Sequence, residues 1–255
     1  MKKISVLFAC FFLLNFLSSA QEKNSGSVIY TETVKIEVKL EGEMAAMMKD
    51  LPSEKKSEKI LWFSPYASLY DDFQKEGEDQ AMGGYWHSEG GVKIVMNTPE
   101  NKIFTDFENK EIIEQKEFMT RMFLIKGGMA EKDWKITGRQ EMILDYPCIE
   151  ASNTDTSGVV TRVWFTPSIN IPAGPGEYSN LPGLVLKVDI ADGKRTLMAS
   201  RISFEEPGEE VFEKPDKGKK VSREEYNDIV AEKMKEMGAT EGTTGGGTVV
   251  IRVKK

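Results

Sequence analysis

Apolar and polar residues alternate along 27–40, with Val34, Ile36, Val38 and Leu40 on one side and Lys35, Glu37 and Lys39 on the other. That period of two is the mark of a half-buried β-strand. Strand-like runs follow at 59–63, 92–97, 102–107, 110–113, 118–125, 134–137, 140–144, 148–152, 159–166, 184–190, 196–204 and 248–254. Turn residues punctuate them: Asp155-Thr156-Ser157-Gly158 and Asp192-Gly193 read as hairpin connections, the second of the two-residue kind, and Asn109 marks a tight reversal. A strand every 8–12 residues or so predicts an antiparallel meander, not strands alternating with helices. Ser222 and Glu225 form a capping box for a helix over 222–237, with Tyr226, Ile229, Val230, Met234 and Met237 on one face and Gly238 as its stop. A shorter helix is expected over 43–49, ended by Pro52. Residues 208–220 read as a charged surface loop and 240–247 as a Gly-rich tether. The expected fold is mainly β: a large curved antiparallel sheet or half-barrel with one or two packed helices. Such a sheet, wrapping without closing, makes a concave apolar cup; by analogy alone it resembles the half-barrels that carry lipoproteins in the periplasm.

Residues 1–20 change where this domain begins. Lys2 and Lys3, the apolar run from Ile4 to Leu17 and the small residues Ser18-Ser19-Ala20 have the layout of a cleaved signal peptide, leaving 21–255 as a single β-rich domain in the periplasm or outside the cell. The run is too short to span a bilayer, for which about 20 apolar residues are needed, and no later segment reaches that length. Net charge is −7 over the whole chain and more negative without Lys2 and Lys3, which argues against nucleic acid as a partner. Cys10 lies in the leader, so Cys148 is the one thiol expected in the processed chain and no intrachain disulfide can form. Stability must then come from apolar burial, which a chain of this length can supply.

The segment 161–190 departs from the strand rhythm. Prolines at 167, 172, 175 and 182 and glycines at 174, 176 and 183 set a specific irregular backbone between two strand-like runs. Its core reads Asn180-Leu181-Pro182-Gly183-Leu184-Val185. Ahead of it stand Trp134-Lys135-Ile136, Asp145-Tyr146-Pro147-Cys148, Ala151, Trp164-Phe165-Thr166-Pro167, Ile171-Pro172 and Gly174-Pro175. In that order these residues resemble the GLPGLI family, and the resemblance implies an exported β-rich protein without implying any particular reaction. Asn180 stands at the family's leading glycine, a change that asparagine's tolerance of positive φ permits. Two roles are open to 167–183. One is a rigid connection with Leu181 and Leu184 plugging an end of the sheet. The other is a binding rim, in which the N–H groups around Gly174, Gly176 and Gly183 form a nest and Trp164, Pro172, Tyr178, Leu181 and Pro182 complete the surface.

Other chemistry is thinly spread. Cys148 and His87 are the thiol and the imidazole of the processed chain, but nothing in the spacing brings them together, and Cys148 between Pro147 and Ile149 reads as a small buried strand residue. One histidine and one cysteine fall short of a usual zinc site. Met44, Met47 and Met48 have helical spacing that would suit Cu(I), whereas Met119, Met122 and Met129 read as core filling. The carboxylate pairs Asp71-Asp72, Glu205-Glu206 and Glu209-Glu210 would point to opposite faces of a strand, poor geometry for shared acid–base work. Tyr66, Tyr70, Phe73, Tyr85, Trp86 and Trp134 are core aromatics or the lining of an apolar pocket or sugar-binding surface. These readings converge on a cell-envelope protein, without cofactor or metal, that binds an apolar or peptide-like partner on its concave sheet. The alternatives are a hydrolase whose active site is not legible and a structural subunit of an outer-membrane assembly.

Overall fold

The computed structural model describes residues 24–35, 54–73, 84–87, 93–96, 100–129 and 132–236. In chain order the strands are β1 (Gly26–Lys35), β2 (Glu54–Phe63), β3 (Ala67–Asp72), β4 (Gly84–His87), β5 (Lys93–Met96), β6 (Asn101–Asp106) and β7 (Glu111–Phe118). They continue with β8 (Arg121–Gly128), β9 (Lys135–Ile143), β10 (Tyr146–Thr154), β11 (Val160–Thr166), β12 (Leu184–Ile190), β13 (Arg195–Ser203) and β14 (Lys219–Val221). One helix, α1 (Arg223–Glu236), follows, and a 3-10 turn spans Glu209–Phe212. Twelve strands join in one open sheet of order β14-β8-β7-β6-β3-β2-β1-β13-β12-β11-β10-β9, and β4 pairs with β5 in a separate ribbon. Every neighbour in the large sheet is antiparallel except β14, which runs parallel to β8 and makes the sheet mixed. The architecture is the mainly β, curved sheet with a packed helix that the hydrophobic pattern predicts.

Cross-strand register explains the core. Val28 faces Leu61, Leu61 faces Tyr70, and Tyr70 faces Ile103, so one apolar row crosses β1, β2, β3 and β6. A second row, Ala151, Val163, Val188 and Leu197, crosses β10, β11, β12 and β13. Both rows belong to one buried cluster together with Ile169, Ile171, Ala173, Tyr178 and Leu181 of the 167–183 segment. Ile103 on β6 and Cys148 on β10 share that cluster although six strands separate them in the sheet, so the sheet wraps around the segment. Register shifts at Ile29/Tyr30, Ile149/Ala151 and Trp164/Phe165 supply bends of the kind that curve a sheet. On the opposite face Leu69, Phe104, Ile113 and Leu124 form a smaller layer, covered by Val211 and Phe212 of the 3-10 turn.

Helix α1 starts where its cap predicts. Ser222 N–H donates to Glu225 Oε2 at 2.8 Å and Glu225 N–H donates to Ser222 Oγ at 3.1 Å, the reciprocal pair of a capping box. Tyr226 anchors the helix on β8, its ring edge-on to Phe123 at 5.4 Å and to Phe118 at 6.3 Å. Arg223 ion-pairs with Glu114 of β7, and Lys116 adds a contact at 3.2 Å. Burial pushes the Glu114 carboxyl up, but the Lys116 and Arg223 charges outweigh it and hold the group below its ordinary value.

Several expected boundaries move. The runs at 134–137 and 140–144 are one strand, β9, bulged around Gly138 at φ 80°. Residues 118–125 are split between β7 and β8 by a two-residue turn, Met119-Thr120, both at positive φ. The Asp192-Gly193 connection is longer than two residues. Ile190 and Arg195 are the last pair, and Gly193 N–H bonds to Asp189 Oδ1 at 2.8 Å to hold the wider loop. The charged stretch 208–220 contains the 3-10 turn and the start of β14, because Val211, Phe212 and Val221 find apolar partners. The expected helix at 43–49, the tether at 240–247, the strand at 248–254 and the leader at 1–20 lie outside the described residues.

Candidate functional site

The 167–183 segment is built into the inner face of the curved sheet. Leu184 N–H donates to Ile169 O at 3.0 Å, Val185 N–H to Ala173 O at 3.0 Å, and Asn180 N–H to Pro172 O at 3.0 Å, so the segment folds back on itself and on the start of β12. The Tyr30 hydroxyl, fully buried, donates to Val185 O at 2.6 Å and ties the segment to β1. Gly174 and Gly183 are close-approach positions. A side-chain carbon on Gly174 would lie 1.8 Å from Tyr178 O, and one on Gly183, at φ 148°, would lie 2.2 Å from Thr166 O. Asn180 takes φ 66°, the left-handed conformation that asparagine tolerates better than other non-glycine residues. Asn180→Gly is therefore expected to leave stability level or raise it by up to about 1 kcal/mol, and Asn180→Val to lower it by about 1–2 kcal/mol, read as shifts in denaturant midpoint.

The eight residues proposed as a binding rim divide by burial. Trp164, Gly174, Tyr178, Leu181 and Gly183 are buried, Pro172 and Gly176 are half-buried, and Pro182 is exposed. Trp164, Tyr178 and Leu181 share the large core cluster. Two lysines cap the aromatic pair: Lys187 Nζ stands 4.1 Å from the Trp164 ring centre and bonds Glu141 at 2.7 Å, while Lys132 Nζ stands 4.6 Å from the Tyr178 ring and 3.1 Å from Glu177. The N–H of Gly183 donates to Leu181 O at 2.7 Å and so is already occupied. The connection role, with Leu181 and Leu184 both in the core, describes this segment directly.

The remaining candidates sort in the same way. Cys148 is buried, its thiol 3.5 Å from Tyr146 O. Burial, with the Glu141 carboxylate second, pushes its pKa up to about 11, well above the range of a nucleophilic cysteine. Iodoacetamide at pH 8 is expected to alkylate the folded protein at least about 100-fold more slowly than the unfolded chain, as measured by mass spectrometry. His87 ends β4, and its side chain lies outside the described residues, as do Met44, Met47 and Met48. Met119 is exposed at the β7–β8 turn, not part of a core. Asp71 and Asp72 diverge as expected, Asp71 to Lys102 at 3.0 Å and Asp72 to Lys59. Among the described residues no group of three or more His, Cys, Asp or Glu is placed to hold a metal ion.

Two features were not legible in the sequence. The first is a buried polar cluster at one end of the inner face. Glu32 stands in line with the apolar row, opposite Leu197 and Ser57, and accepts from Arg195 Nε at 2.6 Å and Ser57 Oγ at 3.2 Å. Lys59, 5% exposed, lies 3.9 Å from Glu32 and ion-pairs with Asp72. Nearby, the Tyr70 hydroxyl is sealed from water without a hydrogen-bond partner among the described residues. Burial pushes its pKa well up, and the Glu32 charge adds to that. Tyr70→Phe is expected to raise stability by about 1 kcal/mol, since it removes an unpaired buried hydroxyl and keeps the ring; a loss of stability in thermal denaturation would contradict this environment.

The second feature is a wedge between α1 and the β8–β14 edge. Only Tyr226 of α1 is buried; Ile229, Val230, Lys233 and Met234, one turn and more further on, are half-buried. An open depression of about 430 Å³ lies there, floored by Phe123 and Ile229 and bordered by Arg121, Met122, Lys219, Lys233 and Glu232. The clue available in the sequence was weak: basic residues on both sides of an apolar strand in an otherwise acidic chain.

No protein-family model and no curated protein matches the chain. Among solved structures, PNGF-II in its C2 crystal form superposes with a TM-score of 0.54 at 15% identity, and in its P21 form with 0.53 at 14%. The match covers 82% of this chain but 33% and 34% of the two PNGF-II chains, so the chain spans about a third of their length. At that identity the likeness is of fold alone. An uncharacterized conserved protein from Thermus thermophilus gives a TM-score of 0.38 at 6% identity, covering 84% of this chain and 99% of that one.

Proposed function

We infer that the chain is an exported cell-envelope protein of the GLPGLI type, a non-enzymatic binding or accessory protein that takes an apolar or peptide-like partner on its curved sheet. The observation that carries this reading is how the inner face is filled. The 167–183 segment occupies the middle of the cup with its own core residues, so the family-like motif serves as packing, and the wedge beside α1 is an open depression with apolar lining. A site with an apolar floor and charged groups spread around its rim suits binding better than turnover, which needs titratable groups converging on one reacting atom. The same fold appears as about a third of the longer PNGF-II chain, in keeping with an accessory module. The layout of residues 1–20 supplies the export half of the proposal.

Expression in a Gram-negative host followed by fractionation tests the reading. The expected product is periplasmic or secreted, with its N-terminus at Gln21 by intact-mass measurement. Retention in the cytoplasm with residues 1–20 in place would sink the export claim, and saturable turnover of a panel of ester, amide and glycoside substrates would sink the non-enzymatic one.

A further inference from the structure

We propose that the wedge between α1 and β8 is a binding site for a fatty acid. The helix is pinned at its N-terminal half by Tyr226 on Phe123 and by Arg223 on Glu114, while further along Ile229 and Val230 pack on the Phe123, Ile125 and Val221 cluster and cover it only in part, both being half-buried. The gap this leaves, about 430 Å³, falls within the range of small-molecule sites, roughly 300–1,000 Å³. Its floor of Phe123 and Ile229 offers apolar contact to an alkyl chain. Its rim carries Arg121, Lys219 and Lys233 against the single carboxylate of Glu232. Lys233 is taken by Glu236 at 2.6 Å, but neither Arg121 nor Lys219 has a carboxylate partner among the described residues. Both are exposed, at the mouth of the trough. In a chain of net charge −7, two cations without a carboxylate partner among the described residues, beside an apolar trough, select a ligand with an acyl body and an anionic head. A peptide fits the floor less well, because it would bury amides against Phe123 and Ile229, where an alkyl chain has no polar group to desolvate.

This deepens the binding reading above by naming its ligand class, and it is tested on purified protein, where failure of export has no bearing. The protein is titrated calorimetrically with sodium laurate below its micelle concentration, and with dodecyltrimethylammonium as a chain of equal length and opposite charge. One laurate per chain is expected, with the cation at least about tenfold weaker. The double variant Arg121→Glu/Lys219→Glu, at two exposed positions, is expected to keep the melting temperature and to weaken laurate at least about tenfold. In protein labelled with ¹³C at the isoleucine δ1 methyls, laurate is expected to move the Ile229 resonance, assigned through Ile229→Val. Absence of laurate binding, equal affinity for the two amphiphiles, or unchanged affinity in the double variant would each overturn the proposal. So would binding that emerges only after residues 237–255 are deleted, since the chain would then be filling its own wedge.

Discussion

Gly174→Ala is expected to cost about 3 kcal/mol or more of stability, because the added methyl meets the closest obstruction found at any described glycine. Gly174 is not in a left-handed conformation, so the penalty is steric. The new carbon would lie 1.8 Å from Tyr178 O and 2.9 Å from both Tyr178 C and Val185 Cβ. Two of these neighbours are backbone, and that backbone is held on either side by Val185 N–H on Ala173 O and Asn180 N–H on Pro172 O. Relief by a rotamer change is therefore closed, and the segment must move away from the sheet. Moving it uncovers Ile169, Ile171 and Leu181, which share one cluster with Val28, Leu61 and Val163. Gly158 provides the control. At φ 81° with nothing within 4 Å, it sits in an exposed hairpin turn, and Gly158→Ala is expected to cost only about 1 kcal/mol of backbone strain. Equilibrium denaturation of the two variants reads the difference. If Gly174→Ala unfolds within a few tenths of a kcal/mol of the parent, 167–183 is not packed as a keystone between the two halves of the sheet.

That keystone shows how much the sequence could and could not reveal. Strand existence was legible because cross-strand rows such as Val28–Leu61–Tyr70–Ile103 impose period-two alternation on each strand. The helix was legible because its cap is local: Ser222 and Glu225 bond each other's backbone. β3 was missed, as Ala67–Asp72 ends in Tyr70-Asp71-Asp72 and shows little alternation, its polar end being used by Lys59 and Lys102. β14 was missed for a different reason. A three-residue strand carries no period, and it exists because Val221 reaches Phe123, Ile125 and Tyr226 across the parallel pairing. The prolines and glycines of 167–183 announced a rigid backbone, yet nothing local says which way such a loop folds. Its direction is set by Tyr30, 155 residues from Val185, and by the curvature that the bulges produce. The wedge beside α1 depends on the helix departing from the sheet, a matter of tertiary packing that no residue pattern encodes.

Arg195→Ala is expected to lower stability by about 3 kcal/mol, and Glu32→Ala by a similar amount. Glu32 lies in a row that is apolar on one side, opposite Leu197, and its carboxylate is held there by Arg195 at 2.6 Å, Ser57 at 3.2 Å and Lys59 at 3.9 Å. Removing Arg195 leaves a carboxylate with a side chain only 10% exposed and its nearest cation gone. Lys59 stays at 3.9 Å but is shared with Asp72 across the β2–β3 register, so it replaces Arg195 only in part. Removing Glu32 has the mirror consequence for Arg195, whose side chain is 20% exposed and therefore recovers some hydration. The Glu32 variant should accordingly be the milder of the two. Taking out both partners as Glu32→Leu/Arg195→Met replaces the pair with apolar volume continuous with Leu197, and the loss is expected to fall well below the sum of the single variants, with a coupling of about 2 kcal/mol. A double-mutant cycle by urea denaturation measures that coupling directly. Additive losses would mean that Glu32 and Arg195 are each solvated on their own, and that the inner face at this end is open to water instead of sealed around an ion pair.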